Sequence, residues 1–173
     1  MSRIAFLVAA EGIERVELTE PWKAVEDAGH GPVLVSPDTG QVQTFDHLTA
    51  AVKLPVDQVV GDVAADEFDA LVLPGGVANP DALRRDGTAV AFVKDFVASG
   101  KPVAAICHAP WTLIEAGVVA GRTLTSWPSL QTDLRNAGAT WVDQEVVIDG
   151  NLITSRNPDD LPAFSDALLK ALG

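Results

Sequence analysis

Lys101-Pro-Val-Ala-Ala-Ile-Cys-His-Ala-Pro-Trp-Thr-Leu-Ile-Glu-Ala-Gly117 changes character at its middle. As far as Ile106 it is a short apolar run, the pattern of a strand buried on both faces. Beyond it Pro110 suits an early helical position, where its missing N–H costs nothing, and Gly117 suits a helix C-terminus. Cys107 stands at the junction. A cysteine at a sharp strand-to-helix turn faces the dipole and free N–H groups of the helix start, which favour the thiolate. Most free cysteines are small buried hydrophobes, but the elbow position argues for an activated nucleophile.

The same alternation extends in both directions. Ile4 to Val8 reads as a buried strand, Val16 to Ala28 as a helix stopped by Gly29, and Pro32 to Ser36 as a second strand. Gln41 to Val59 suggests short strands with turns, a hairpin at the sheet edge. Asp69 to Leu73 is another buried strand, running into Pro74-Gly75-Gly76, and Thr88 to Ser99 is a helix ended by Gly100. Leu124 and Thr125 form a brief strand, Leu130 to Ala137 a helix, Val146 to Thr154 a hairpin turning on Asp149-Gly150-Asn151, and Pro158 to Leu172 a closing helix. Strands alternating with helices predict a doubly wound α/β sandwich, one domain over residues 1–173, with ligands outside the carboxyl ends of the strands.

Composition agrees. The 173 residues are 47% hydrophobic and 21% charged, a globular balance. A formal charge of −12 opposes binding to nucleic-acid phosphates and anionic lipid. No apolar run approaches transmembrane length. Ile4 to Ala10 is apolar after Arg3, but Glu11, Glu14 and Glu17 follow at once with no small-residue cleavage site, so it reads as a strand and not as a signal peptide. One cysteine permits no internal disulfide, and the cytoplasm is the expected compartment.

Three segments leave the carboxyl ends of expected central strands: Glu11 to Glu17, Gly75-Gly76 and Cys107-His108. Together they supply what covalent thiol catalysis requires. Cys107 is the nucleophile. The backbone N–H groups of Gly76 and His108 are candidates for an oxyanion hole, and Glu14 or the His108 ring for proton transfer. His30 and His47 lie far apart, so no metal site is readable. Neither a Walker loop nor a GxGxxG after a strand is present, and no cofactor is expected.

Ala104-Ala-Ile-Cys-His108, Leu71-Val-Leu-Pro-Gly-Gly76, Glu14-Arg-Val-Glu-Leu18, Asn136-Ala-Gly138 with Trp141-Val-Asp143, and Val146-Val-Ile-Asp-Gly-Asn151 resemble, in order and spacing, the PfpI branch of the ThiJ/PfpI superfamily, relatives of class I glutamine amidotransferases. The likeness runs nearly end to end. It implies a flavodoxin-like three-layer sandwich, mostly parallel with helices on both faces, and a homodimer or higher homo-oligomer with sites near subunit interfaces. It also implies a glutamate, matched by Glu14, that hydrogen-bonds the thiol, and a pocket including Gly75, Ala109 and Trp127. Ala109 departs from a common glycine, and Trp127 stands where a tyrosine is often found, which bears on substrate choice. The activity implied is a deglycase or glyoxalase acting on small reactive carbonyls or glycated proteins. The alternatives are a cysteine peptidase using Cys107 and His108, completed by an acid from a neighbouring subunit, and a redox sensor oxidised at Cys107.

Overall fold

The computed structural model describes residues 1–173. In chain order the strands and helices are β1 (Arg3–Leu7), β2 (Glu11–Glu14), α1 (Arg15–Asp27), β3 (Gly31–Ser36), β4 (Gln41–Asp46), β5 (Thr49–Pro55), β6 (Gln58–Val59), β7 (Ala70–Leu73), α2 (Ala78–Leu83) and α3 (Gly87–Ala98). They continue with β8 (Val103–Ile106), α4 (Pro110–Glu115), β9 (Thr123–Leu124), α5 (Gln131–Asn136), β10 (Thr140–Trp141), β11 (Val147–Asp149), β12 (Leu152–Ser155) and α6 (Leu161–Leu172).

The continuous apolar runs are explained by the pleat. Along β1, Ala5 and Leu7 enter one core while Ile4 and Phe6 enter the other. β7 divides the same way, Leu71 and Leu73 against Ala70 and Val72, and so does β8, Val103 and Ala105 against Ala104 and Ile106. Because successive side chains point to opposite faces, a strand covered on both sides must be apolar throughout. Helix α1 (Leu18, Val25) and α6 (Phe164, Leu168) cover one face, and α3 (Val93, Phe96) with α4 (Leu113) the other. Each such side chain contributes about 1.5–3 kcal/mol by leaving water.

The main sheet has seven strands in the order β11-β12-β8-β7-β1-β3-β6, with all pairings parallel except β11 against β12. From β1 the chain crosses to β3 on one side and later to β7 on the other. The reversal opens a crevice above the carboxyl ends of β1 and β7, where open α/β sheets bind ligands. No helix is long and apolar enough to cross a membrane.

The hairpin expected between Gln41 and Val59 forms, as β4 and β5, but not at the edge of the main sheet. Strand β4 pairs with β2, in a segment read from sequence as a loop or helix start, and the three strands make a separate small sheet. Ile13 and Val42 are the reason: each is buried in the core under α1, which pulls the hairpin over the crevice. Only β6 joins the main sheet there, beside β3. Helix α2 was not anticipated, and the expected Pro158 to Leu172 helix begins as a 3-10 turn before α6.

The β4–β5 turn spans His47 and Leu48, and His47 sits in the left-handed region with φ 61°. An L residue there is strained by about 1–2 kcal/mol relative to glycine, which is partly offset by glycine's greater unfolded freedom. His47→Gly is expected to raise stability by roughly 0.5–1 kcal/mol. Urea unfolding checks this, and a loss of stability would mean that the imidazole holds the turn.

Candidate active site

Cys107 follows the last residue of β8 and adopts φ 63°. It and His47 are the chain's two non-glycine residues at positive φ. The elbow is tied on both sides: the Cys107 N–H donates to the Ser155 carbonyl at 3.1 Å, and the Trp127 N–H donates to the Cys107 carbonyl at 2.9 Å. Ala109 N–H donates back to the Ile106 carbonyl at 3.1 Å, and Pro110 opens α4. Strain of this kind persists only where the surroundings over-determine it, and it concentrates at functional sites.

Gly75 brings the other strand end against the thiol. A Cβ on Gly75 would collide with the Glu17 carboxyl, lie 2.6 Å from Cys107 Cβ and 2.8 Å from the Ile106 carbonyl, so only glycine fits. Its N–H donates to Glu17 Oε2 at 2.9 Å. Asn79, fully buried on α2, clamps this crevice. Its amide nitrogen donates to the Pro74 and Gly75 carbonyls at 2.9 and 3.0 Å, and its oxygen accepts from Ala9 N–H at 2.7 Å.

The carboxyl beside the sulfur is therefore that of Glu17, and the expectation for Glu14 is corrected. Helix α1 starts at Arg15, so Glu17, Pro21 and Val25 fall on its inward face at i, i+4 and i+8, and Glu17 is fully buried. Glu14 ends β2 one step earlier, and its carboxylate instead accepts the His47 N–H at 3.2 and 3.4 Å. The 17–21–25 spacing was visible in the sequence, but a buried acid reads there as an exposed one.

Burial raises the Glu17 pKa from the ordinary 4.5 to about 8, against hydrogen bonds with Cys107 and with the Gly75 and Gly76 N–H groups, which lower it. Burial also pushes the Cys107 thiol up, reinforced by the neighbouring Glu17 charge, while hydrogen bonds from the Gly76 and His108 N–H groups pull it down. The resting sulfur is thus a thiol, not the dipole-stabilised thiolate expected at an elbow, and α4 has only six residues. His108 Nδ1 lies 3.1 Å from Sγ. Burial lowers the His108 pKa, keeping the ring neutral and able to accept a proton. The ring stacks on Trp127 at 5.7 Å and meets the edge of Trp111 at 5.2 Å.

A cavity of about 690 Å³ opens over the thiol, a size suited to a small ligand. Of the expected site residues, Glu14, Gly76, Cys107, His108 and Trp127 line it together with Glu17. Gly75 sits behind it against Glu17, and Ala109 turns into the core under α4. Phe45, His47 and Leu48 from the small sheet, and Asn157, Pro158 and Asp159 after β12, complete the walls. Sequence reasoning missed these because the first three belong to a hairpin placed elsewhere, Pro158 and Asp159 to a turn read as helix, and Asn157 to the unassigned connection before it. No three His, Cys, Asp or Glu side chains are grouped so as to hold a metal ion.

The model of the DJ-1/PfpI family matches residues 2–171. Protein/nucleic acid deglycase 2 of Escherichia coli is 45% identical over 172 residues, covering 99% of this chain and 98% of that protein. Deglycase PfpI of Pyrococcus furiosus is 43% identical over 170 residues, covering 98% and 99%. Among solved structures, a two-domain protein from Anabaena variabilis with DJ-1/ThiJ/PfpI-like and ferritin-like domains superposes with a TM-score of 0.95 at 35% identity, over 100% of this chain and 48% of that one.

Because the folded protein holds the Glu17 proton up to about pH 8 and an unfolded chain releases it near 4.5, the native state binds the extra proton between these values. Stability contributed by this group is complete below 4.5, falls as pH rises through the window, and levels off above about 8. Glu17→Gln removes the titration. Its stability relative to wild type should grow across the window by at most about 5 kcal/mol, read by urea unfolding at both ends. A pH-independent difference would mean that Glu17 is ionised in the native protein.

Proposed function

The chain belongs to the DJ-1/PfpI family, and we propose that it is a cysteine-dependent stress-protection enzyme that converts reactive carbonyls, methylglyoxal and its early adducts on amines, to lactate. The observation that carries this reading is the convergence on one sulfur of a neutral imidazole, a carboxyl with its pKa near 8, and the N–H groups of Gly76 and His108.

His108 Nδ1 takes the thiol proton, and Glu17 in its protonated form donates to the thiolate left behind. The sulfur electron pair attacks the aldehyde carbon, and the C=O π pair moves to oxygen, where the Gly76 and His108 N–H groups stabilise it until it is protonated. The resulting hemithioacetal is a small, uncharged species suited to a buried site. Glu17 gives its proton to the C1 oxygen, and the carboxylate so formed takes the C1 proton and delivers it to C2. The His108 imidazolium meanwhile protonates the C2 oxygen and then accepts the C1 hydroxyl proton. The lactoyl thioester that results is hydrolysed by water to lactate and free thiol, and the imidazolium proton returns to Glu17. The sum is methylglyoxal plus water to lactic acid. An aminocarbinol adduct follows the same balance, its C–N bond breaking and its nitrogen leaving as the free amine.

The 3.1 Å approach of His108 Nδ1 to Sγ also supports a second reading, a cysteine peptidase. Within this chain the imidazole is held by Trp111 and Trp127 stacking and not by a carboxylate, so that reading needs an acid from a neighbouring copy. Leu48 and Val77, 93% and 56% exposed beside the mouth, support a homo-oligomer that covers them. The lone cysteine supports a cytoplasmic setting.

Cys107→Ala should abolish lactate formation from methylglyoxal, and His108→Ala should lower kcat by about 10²-fold or more. Assays on methylglyoxal, a glycated peptide and the same peptide unmodified decide between the readings. Full activity of Cys107→Ala would sink both, while cleavage of the unmodified peptide that vanishes in both variants would favour the peptidase.

A further inference from the structure

Resting on the oxyanion role given above to the Gly76 N–H, we propose that Asn79 is a positioning residue of the site. By holding two successive carbonyls of the loop after β7, its side-chain amide aims the Gly75 N–H at Glu17 and the Gly76 N–H at the sulfur and the oxygen that reacts beside it.

The loop needs an outside hold because both of its glycines are required. A Cβ on Gly75 would collide with the Glu17 carboxyl, and one on Gly76, at φ 80°, would collide with the Gly12 carbonyl. Two glycines in succession permit that close approach, but they leave the peptide unit between them without a side chain to resist rotation. Turned over, the unit would present the Gly75 carbonyl to the site in place of the Gly76 N–H. A developing oxyanion would then meet a lone pair where it needs a donor.

Peptide planarity turns a hold on the carbonyls into a hold on the N–H groups. In a trans peptide the C=O and the N–H of the next residue point in opposite directions, and the chain has no cis peptide bond. Asn79 Nδ2 donates to the Pro74 carbonyl at 2.9 Å, and the N–H across that plane, that of Gly75, donates to Glu17 Oε2 at 2.9 Å. The same nitrogen donates to the Gly75 carbonyl at 3.0 Å, and the N–H across that second plane is the Gly76 donor shared by Glu17 and Cys107. One amide therefore sets two neighbouring donors.

The chemistry of the position calls for asparagine. Its oxygen accepts the Ala9 N–H at 2.7 Å, which obliges the NH2 group to face the two carbonyls. Aspartate would set an oxygen against both carbonyls, and serine would bring one donor for two acceptors. Asn79 is anchored to the body of the protein and not to the loop it controls: Ala9 lies just past β1, and a Cβ on Gly12 would collide with Ala78 Cβ and lie 2.9 Å from Asn79 N. Asn79 is fully buried and does not line the cavity, so it acts on a substrate only through the two glycines.

The test compares wild type with Asn79→Ala, which removes all three bonds, and with Asn79→Asp, which keeps the size and the acceptor for Ala9 but not the amide protons. Leu168→Ala, a cavity in the core under α6, is the control for destabilisation alone, with urea unfolding showing that each variant is folded. Both Asn79 variants should lower kcat for lactate formation from methylglyoxal by at least about tenfold with KM within about threefold, the signature of a donor used in the transition state. Leu168→Ala should keep kcat within about twofold. Titration of the Glu17 carboxyl without substrate gives a second readout. The Gly75 and Gly76 N–H groups hold its pKa down against burial and the Glu14 charge, so in Asn79→Ala the midpoint should rise above about 8, whereas mere loosening would admit water and lower it. A kcat that falls no further than in Leu168→Ala, or a midpoint that stays or falls, overturns the positioning role. If wild type releases no lactate, the carbonyl reading falls by itself and the midpoint decides the role of Asn79.

Discussion

The backbone of Cys107 is pinned from two directions. Its N–H is spent on the end of β12 and its carbonyl on Trp127, so the residue between them keeps a left-handed conformation that L residues avoid. Every other part of the site is arranged around that fixed point. Strand β7 delivers Gly75, whose lack of a side chain lets the Glu17 carboxyl and the cysteine meet at one place, and Asn79 holds that loop to the end of β1. Were either pin loosened, the elbow could relax into ordinary helix and the sulfur would leave the N–H groups of Gly76 and His108.

The electrostatics follow from the same crowding. A carboxyl and a thiol buried together resist ionisation, each first because water is absent, the carboxyl also because the Glu14 charge is close and the thiol because the Glu17 charge is. The site stores its protons at rest and relies on the neutral His108 ring to release one when a carbonyl arrives. Nucleophilicity is obtained on demand, in a pocket where a free thiolate would otherwise meet oxidants.

Much of the fold could be read from residues alone. Ile4 to Val8, Asp69 to Leu73 and Lys101 to Ile106 are continuously apolar because both faces of the sheet are covered, and that pattern has few other meanings. Cys107, Gly76 and His108 could be placed together because parallel strands bring their carboxyl ends to one edge. Glu17 escaped for a physical reason: an acid on the buried face of a helix breaks the hydrophobic periodicity that identifies the face, and family likeness pointed one turn too early. The β4–β5 hairpin was recognised, but its pairing was not, since β2 is four residues long and has no pattern of its own. His47, Asn157 and Asp159 entered the cavity through that pairing and through a turn whose path depends on tertiary contacts.

The central claim is that Glu17 stays protonated beside Cys107 at neutral pH. Its most direct measurement is an isotope-edited infrared titration of the glutamate carboxyl stretch between about pH 5 and pH 10, on wild type and on Glu17→Gln. One carboxylic-acid band that persists through neutrality, disappears with a midpoint at about 8, and is missing from the variant is the result expected. Complete ionisation of every glutamate by about pH 6 would contradict the account.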